Sequence, residues 1–219
     1  MLAVNNTSLI EFDGWTLRLR EAAKSPARLL LLIHGWTGDE NSMWIFVRNF
    51  SADYCILAPR GPHPALEGGY SWRPTSTSTY GRPSLDQLRD SAQGLIRLVD
   101  AYQAEAGIDA SRFDIMGFSQ GAAMSNVLSC LYPERVRKLG ILAGFMPSGM
   151  EELVAQKPLT GKSIFVTHGT QDNLVPIDRA RASISLLEQA GAQISYCESD
   201  VGHRVSADCL RALETFFET

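Results

Sequence analysis

No aliphatic run in the 219 residues is longer than Leu29–Ile33. A membrane-crossing helix needs about 20 apolar residues in a row, so no such helix is expected. Cysteine is scarce as well. Cys55, Cys130, Cys197 and Cys209 are the whole set. None stands in a C-x-x-C pair, and their gaps match no zinc-ligand pattern, which argues against a metal module or a dithiol redox centre. The expected role for all four is that of small buried hydrophobes with free thiols in a reducing compartment. Excess charge of either sign is also missing. With 20 basic against 24 acidic residues the net charge is −4, which supplies no electrostatic reason for a nucleic-acid partner or for stable association with an anionic membrane. Met1 to Ser8 hold no basic cluster leading into an apolar stretch, so a secretory signal is not expected and a soluble, cytoplasmic protein is. There are no internal repeats and no low-complexity tracts. An apolar fraction of 45% and a charged fraction of 20% are those of an ordinary globular chain, read as one domain over residues 1–219.

Short apolar runs stopped by glycine or proline punctuate the sequence from residue 29 onward. They are Leu29 to Ile33, Tyr54 to Ala58, Phe113 to Met116, Leu139 to Ala143, Ser163 to Thr167 and Ala192 to Cys197. Runs of this kind read as strands covered on both faces, the pattern of a parallel sheet. Helical spacing fills the gaps. Ser84 and Gln87 form a capping box, and Leu85, Leu88, Ala92, Leu95, Ile96, Val99 and Tyr102 then recur at three and four. Further helices are expected over Gly121 to Leu131, from Ile177 to Leu187, and from Cys209 to Phe217. At the N-terminus, residues 1–20, Asp13-Gly14 separates two strand-like stretches and signals a hairpin. The sum is an α/β fold: a mostly parallel central sheet, helices on both faces, and an antiparallel N-terminal edge.

Residues 60–83 fit no element. They are rich in Gly, Pro, Ser and Thr and carry Tyr70, Trp72 and Tyr80. A stretch this long without regular structure is usually a lid or binding loop, and its aromatics favour that role over a solvated excursion.

The strongest chemical signal is Gly117-Phe118-Ser119-Gln120-Gly121. It closes a predicted strand and opens a predicted helix, as a G-x-S-x-G nucleophile elbow requires. The small residues on either side allow a tight turn, and the helix N-terminus favours the negative charge that develops at Ser119. A serine nucleophile needs a base and an orienting acid, and in the α/β-hydrolase arrangement these follow it in the order acid, then histidine. Of His34, His63, His168 and His203, only His203 follows both the serine and a suitable acid; the other three are read as structural. Asp172, in the turn after the strand ending at Thr167, is the acid. Its competitor Asp178 sits in the first turn of a helix, where a carboxylate serves the dipole. The oxyanion hole is assigned to the backbone N–H of Gln120 and of Trp36, the latter in the glycine-flanked loop after the first long strand.

These residues together resemble the phospholipase/carboxylesterase family, small serine esterases of the α/β-hydrolase superfamily that include acyl-protein thioesterases. The resemblance runs from about Ala27 to Phe217 and is carried by His34-Gly35, Ala58-Pro59-Arg60-Gly61-Pro62, Gly68-Gly69-Tyr70-Ser71-Trp72, the elbow, His168 to Asp172 with Val175-Pro176, and Gly202-His203. It implies ester or thioester hydrolysis through an acyl-enzyme without metal or cofactor, the Trp36 and Gln120 amides as oxyanion hole, and Trp72 near the acyl pocket. The thioesterases usually read His-Gly-Leu-Gly-Asp, whereas here Trp36-Thr37-Gly38-Asp39 is a residue longer and bulkier. Residues 73–83 also replace the loop that usually follows the tryptophan. Both departures point from long lipids or protein substrates toward a small-molecule ester.

The function expected is therefore hydrolysis of small to medium uncharged esters by Ser119, His203 and Asp172. Trp36, Tyr70, Trp72, Phe118, Phe145 and Met146 are the candidate walls of the pocket. An acyl thioesterase or lysophospholipase, and a non-catalytic binding protein retaining the fold, are the alternatives. A homodimer is left open.

Overall fold

The computed structural model describes residues 6–75 and 81–218. Tyr80, and Met1 to Asn5 of the stretch read for a signal, lie outside them.

Strands β1 (Ser8–Phe12) and β2 (Trp15–Arg20) pair antiparallel, with Phe12 opposite Trp15. Asp13 and Gly14 between them have φ of 48° and 78°. Two successive left-handed residues make the tight turn whose twist matches a hairpin, and Asp-Gly is a pair that tolerates it. β2 lies antiparallel on β4 (Tyr54–Pro59). From there the sheet is parallel through β3 (Arg28–Ile33), β7 (Phe113–Phe118), β8 (Val136–Leu142), β9 (Ser163–Gly169) and β10 (Gln193–Ser199). The eight strands run in the order β1-β2-β4-β3-β7-β8-β9-β10.

β3 shows why a leucine run suits the centre of this sheet. Leu29, Leu31 and Ile33 face one core, which they share with α1 (Leu85–Ala106), α2 (Gln120–Leu131) and α4 (Ile177–Gln189). Leu30 and Leu32 face the other, with Met43, Trp44, Val47 and α5 (Ala207–Glu218). Side chains alternate along a strand, so a strand covered on both faces needs an apolar residue at every position. The capping box forms as expected: Ser84 Oγ accepts from Gln87 N–H and Gln87 Oε1 from Ser84 N–H.

The structure corrects the sequence reading in three places. Residues 60–83 are not wholly irregular, because β5 (His63–Pro64) and β6 (Tyr70–Ser71) make a small antiparallel ribbon. Two-residue strands carry too little periodicity to be read. A short helix, α3 (Glu151–Ala155), was unanticipated for the same reason. The cysteines do not all stay free: Cys197 of β10 and Cys209 of α5 form a disulfide with Cα atoms 5.7 Å apart. Only Cys55 and Cys130 remain buried free thiols. The pairing depends on how the chain turns between β10 and α5, which residue spacing alone does not determine. Among the described residues, no helix is long and apolar enough to cross a membrane.

Candidate active site

The C-terminal ends of the parallel strands carry the site, the usual position in an open α/β sheet. β7 runs out at Phe118 and α2 starts at Gln120, so Ser119 alone makes the turn. It does so at φ 54° and ψ −115°, a sparsely populated conformation that costs of order 1–3 kcal/mol and persists only where the surroundings enforce it. They enforce it by contact. A Cβ on Gly117 would lie 2.3 Å from both Gly121 O and Ser125 Oγ. The Ser119 N–H is tied to Leu142 O at 2.9 Å. Ser119 is half-buried and makes no cap bond to its own helix, so its hydroxyl is not committed there.

Asp172 and His203 come from different strand ends and meet. Asp172 lies in the turn after β9, with its side chain wholly buried. Its Oδ1 accepts the N–H groups of Leu174 and Val175, both at 2.9 Å, and its Oδ2 lies 2.6 Å from His203 Nδ1. The carboxylate accepts, so Nδ1 carries the proton and Nε2 keeps a lone pair for another partner. The two loops are fastened together. Thr170 N–H bonds Ser199 O at 2.9 Å, Gln171 N–H bonds Val201 O at 3.0 Å, and a Cβ on Gly169 would meet Val201 O at 2.2 Å. Phe118 packs on the imidazole at 5.0 Å between ring centroids. Asp178, by contrast, is 92% exposed beside Arg181.

The loop after β3 brings a second element against the serine. A Cβ on Gly35 would lie 3.3 Å from Ser119 Cβ. Trp36 and Thr37 follow, Thr37 at φ 61°, and Gly38 N–H closes the turn on Gly35 O at 3.0 Å. The ribbon clamps this turn from outside. Tyr70 N–H bonds Gly38 O at 2.9 Å, and left-handed Gly69 has no room for a side chain, since its Cβ would meet Thr37 O at 2.0 Å. From beneath, His34 donates from Nδ1 to Gly35 O at 2.7 Å and accepts Gly61 N–H at Nε2 at 2.8 Å. The Gln120 side chain is used structurally. Its Oε1 accepts Trp72 N–H at 3.1 Å and its Nε2 donates to Ser71 Oγ at 3.1 Å. Its backbone N–H, in the first turn of α2, has no acceptor within the helix and points the positive end of the dipole toward the serine.

A cleft of about 290 Å³ joins these pieces, with Ser119, Gln120, His203, Gly35 and Trp36 on its surface. Of the other expected wall residues, Phe118 and Phe145 line it; Tyr70, Trp72 and Met146 do not. Trp72 is a core residue instead. It is wholly buried, donates from its indole to His34 O at 2.8 Å and packs on the His34 ring at 4.9 Å, holding the loop from behind. Tyr70 lies under the Arg60 guanidinium, 4.6 Å from ring centroid to Cζ. Met146 is buried, and its N–H is bound by Ser183 Oγ at 2.7 Å. Several lining residues escaped the sequence reading, among them Glu67, Arg73, Pro83, Leu174 and Val175. Arg73 follows Trp72 directly, and a lone arginine in a Gly- and Pro-rich stretch carries no pattern that marks burial. His34, His63 and His168 are not on the cleft surface. His168 donates to Val175 O at 2.7 Å and stands 3.4 Å from Asp172 Oδ2, bracing the turn that carries Asp172. Among the described residues, no three His, Cys, Asp or Glu side chains cluster so as to hold a metal ion.

Comparison with known proteins gives this arrangement its family. Residues 16–219 match the phospholipase/carboxylesterase family model. The chain belongs to that family. It is 28% identical over 215 residues to an Oryza sativa subsp. japonica protein named "Probable carboxylesterase", covering 90% of this chain and 79% of that one. Acyl-protein thioesterase 1 of Kluyveromyces lactis is 26% identical over 176 residues, 73% of this chain and 76% of its own. Among solved structures, a carboxylesterase from Mesorhizobium loti has the same fold, with a TM-score of 0.81 over 98% of this chain and 99% of that one at 19% identity. The α/β-hydrolase fold expected from the elbow is thus the fold observed.

Proposed function

We propose that this family member is a serine carboxylic ester hydrolase that works through an acyl-enzyme on Ser119. The observation that carries the reading is the 2.6 Å contact between Asp172 and His203 Nδ1, with His203 and Ser119 on the surface of one cleft. Ser119 attacks the ester carbonyl while His203 Nε2 takes its proton, and Asp172 holds the tautomer and stabilises the imidazolium. The oxyanion settles on the Gln120 and Trp36 amides; a single such donor is worth roughly 2.7–4 kcal/mol in the transition state. His203 then protonates the leaving alcohol and activates the water that frees the enzyme. A cleft of about 290 Å³ is at the small end of the usual range for ligand sites, roughly 300–1,000 Å³. That favours short and medium esters over long lipids.

The test is hydrolysis of a p-nitrophenyl ester series from acetate to palmitate, wild type beside Ser119→Ala. Turnover of the shorter esters that disappears in the variant is expected. A variant that kept most of its activity would remove Ser119 from the mechanism. Because the matched relatives include an acyl-protein thioesterase, paired oxygen esters and thioesters of one acyl chain belong in the same assay. A preference for the thioester would make that the second reading.

A further inference from the structure

Part of the cleft wall is assembled from separate stretches of chain. Gly81 and Pro83 come from the segment before α1, Phe145 from the loop after β8, and Leu174 and Val175 from the turn before α4. Arg179, in the first turn of α4, joins the first two of these to the third. Its Cζ lies 3.6 Å from the centroid of the Phe145 ring, and its Nη1 donates to Gly81 O at 2.9 Å. Arg179 is half-buried and is not itself on the cleft surface. It stands behind the wall and holds two pieces of it.

The two pieces depend on that side chain to different degrees. The backbone around Phe145 is fixed independently. Its carbonyl accepts from the buried Asn126 Nδ2 at 3.1 Å, and the next N–H, of Met146, is bound by Ser183 Oγ at 2.7 Å. Ser183 in turn donates to Arg179 O at 2.8 Å, so this loop and the arginine rest on one turn of α4. Gly81 is different. It is exposed and left-handed at φ 69°, and among the described residues no atom lies within 4 Å of a Cβ built on it. Packing does not wedge it in place, so the bond from Arg179 carries more of its position. A planar guanidinium suits this double task, because it can lie on an aromatic face and donate within its own plane at the same time. The rigid body it ties Gly81 to is a ring that is itself anchored at the backbone.

We propose that Arg179 is a positioning residue for substrate size: it clamps Gly81 to Phe145, fixes this wall of the cleft and so limits the length of the chain that the ester can carry against it. This rests on the hydrolase reading, and it puts the control of chain length on a side chain outside the cleft lining. Arg179 touches no reacting atom and acts through Phe145 and Gly81.

Two measurements test it. The first takes the ratio of kcat/KM for a long ester to that for a short one, with p-nitrophenyl octanoate against acetate for the acyl side and octyl against ethyl acetate for the alcohol side. In Arg179→Ala one of these ratios is expected to rise about tenfold or more over wild type, the scale on which a pocket wall discriminates chain length. The series that responds tells which half of the ester meets the wall. Arg179→Lys keeps a cation and a donor but not the planar fork, so a smaller rise in the same direction is expected; it decides the matter if the alanine variant does not fold. Phe145→Ala should raise the same ratio, and Arg179→Ala should add little in that background. The second measurement needs no turnover: calorimetric titration of octyl and butyl p-nitrophenyl ethers, which have no carbonyl to attack. The preference for the octyl ether is expected to rise in Arg179→Ala. Ratios that stay at the wild-type value, a loss of activity equal at both chain lengths, or an effect undiminished in the Phe145→Ala background overturns the clamp. Failure of wild type to hydrolyse any of the esters, with the ether preference still shifted in Arg179→Ala, counts against the hydrolase reading and leaves the clamp standing.

Discussion

Gly121 approaches β3 so closely that a methyl on its Cα would lie 2.0 Å from Ile33 O and 2.5 Å from His34 O. The helix that begins after Ser119 therefore rests on the strand end that launches the Trp36 loop. Both contacts are backbone, and neither can yield without moving Ser119 or the loop. Gly121→Ala is expected to lower stability by about 1–3 kcal/mol through overpacking, and to reduce kcat more than it raises KM. Gly14→Ala is the natural comparison. Gly14 has φ 78° with nothing within 4 Å of a built Cβ. That change should cost about 1–2 kcal/mol through left-handed strain alone and leave kcat alone. Thermal unfolding with Michaelis kinetics on both variants separates the two effects.

Asp172 divides its oxygens between two tasks, with Oδ1 on the Leu174 and Val175 amides and Oδ2 on His203. In Asp172→Asn the two backbone donors draw the amide oxygen to their side. The amide NH2 then faces Nδ1, which favours the tautomer with its proton on Nε2, the wrong nitrogen for accepting from Ser119. The expected loss in kcat is about 10³–10⁴-fold with a folded protein and little change in KM. A loss below tenfold would mean that the carboxylate does not orient the base.

His34 couples the Gly35–Gly38 loop to pH through stability. Burial holds its pKa below the ordinary imidazole value of 6.5, and the neutral ring is the one that accepts Gly61 N–H. The unfolded chain takes up a proton more readily than the folded one. Stability from this group is therefore complete above pH 6.5 and lost progressively as pH falls toward the lower folded value. Half-buried His63, also held low by burial, acts in the same direction. The melting temperature of wild type should fall between pH 8 and pH 5, and His34→Gln should show a shallower fall from a lower start. An equal slope in both proteins would assign the pH dependence elsewhere.

The parts of this molecule that could be read in advance are those written in consecutive residues. The Asp13-Gly14 turn, the β3 leucines, the Ser84 cap and the strand–serine–helix junction each need only a local pattern, and each appears where that pattern places it. The meeting of Asp172 with His203 was legible through chain order, because both follow parallel strands that end at the same edge of the sheet. Positions decided by side-chain packing were not. Trp72, in a Gly- and Pro-rich stretch, looked like a wall of the mouth, yet its indole is drawn under the loop by the His34 carbonyl. Arg73 beside it had no role assigned from the sequence and is buried at the cleft.

The disulfide between Cys197 and Cys209 brackets the segment that carries His203. That segment leaves β10 at Ser199, passes the histidine and enters α5 after Ser206. The cross-link closes a loop between residues 12 apart in sequence, and bonds of this kind contribute about 2–4 kcal/mol. With the bond open, the position of His203 depends on its contact with Asp172 and on the backbone bonds from Thr170 and Gln171 to Ser199 and Val201. Cys197→Ser should therefore melt several degrees lower than wild type and lose part of its kcat, the base being held less firmly. Wild type treated with a thiol reductant should converge on the variant, and the reductant should not move the variant further. Cys130→Ser, which alters a free buried thiol on α2, supplies the contrast: its melting temperature should be equally insensitive to reductant only when the Cys197–Cys209 bond has also been removed.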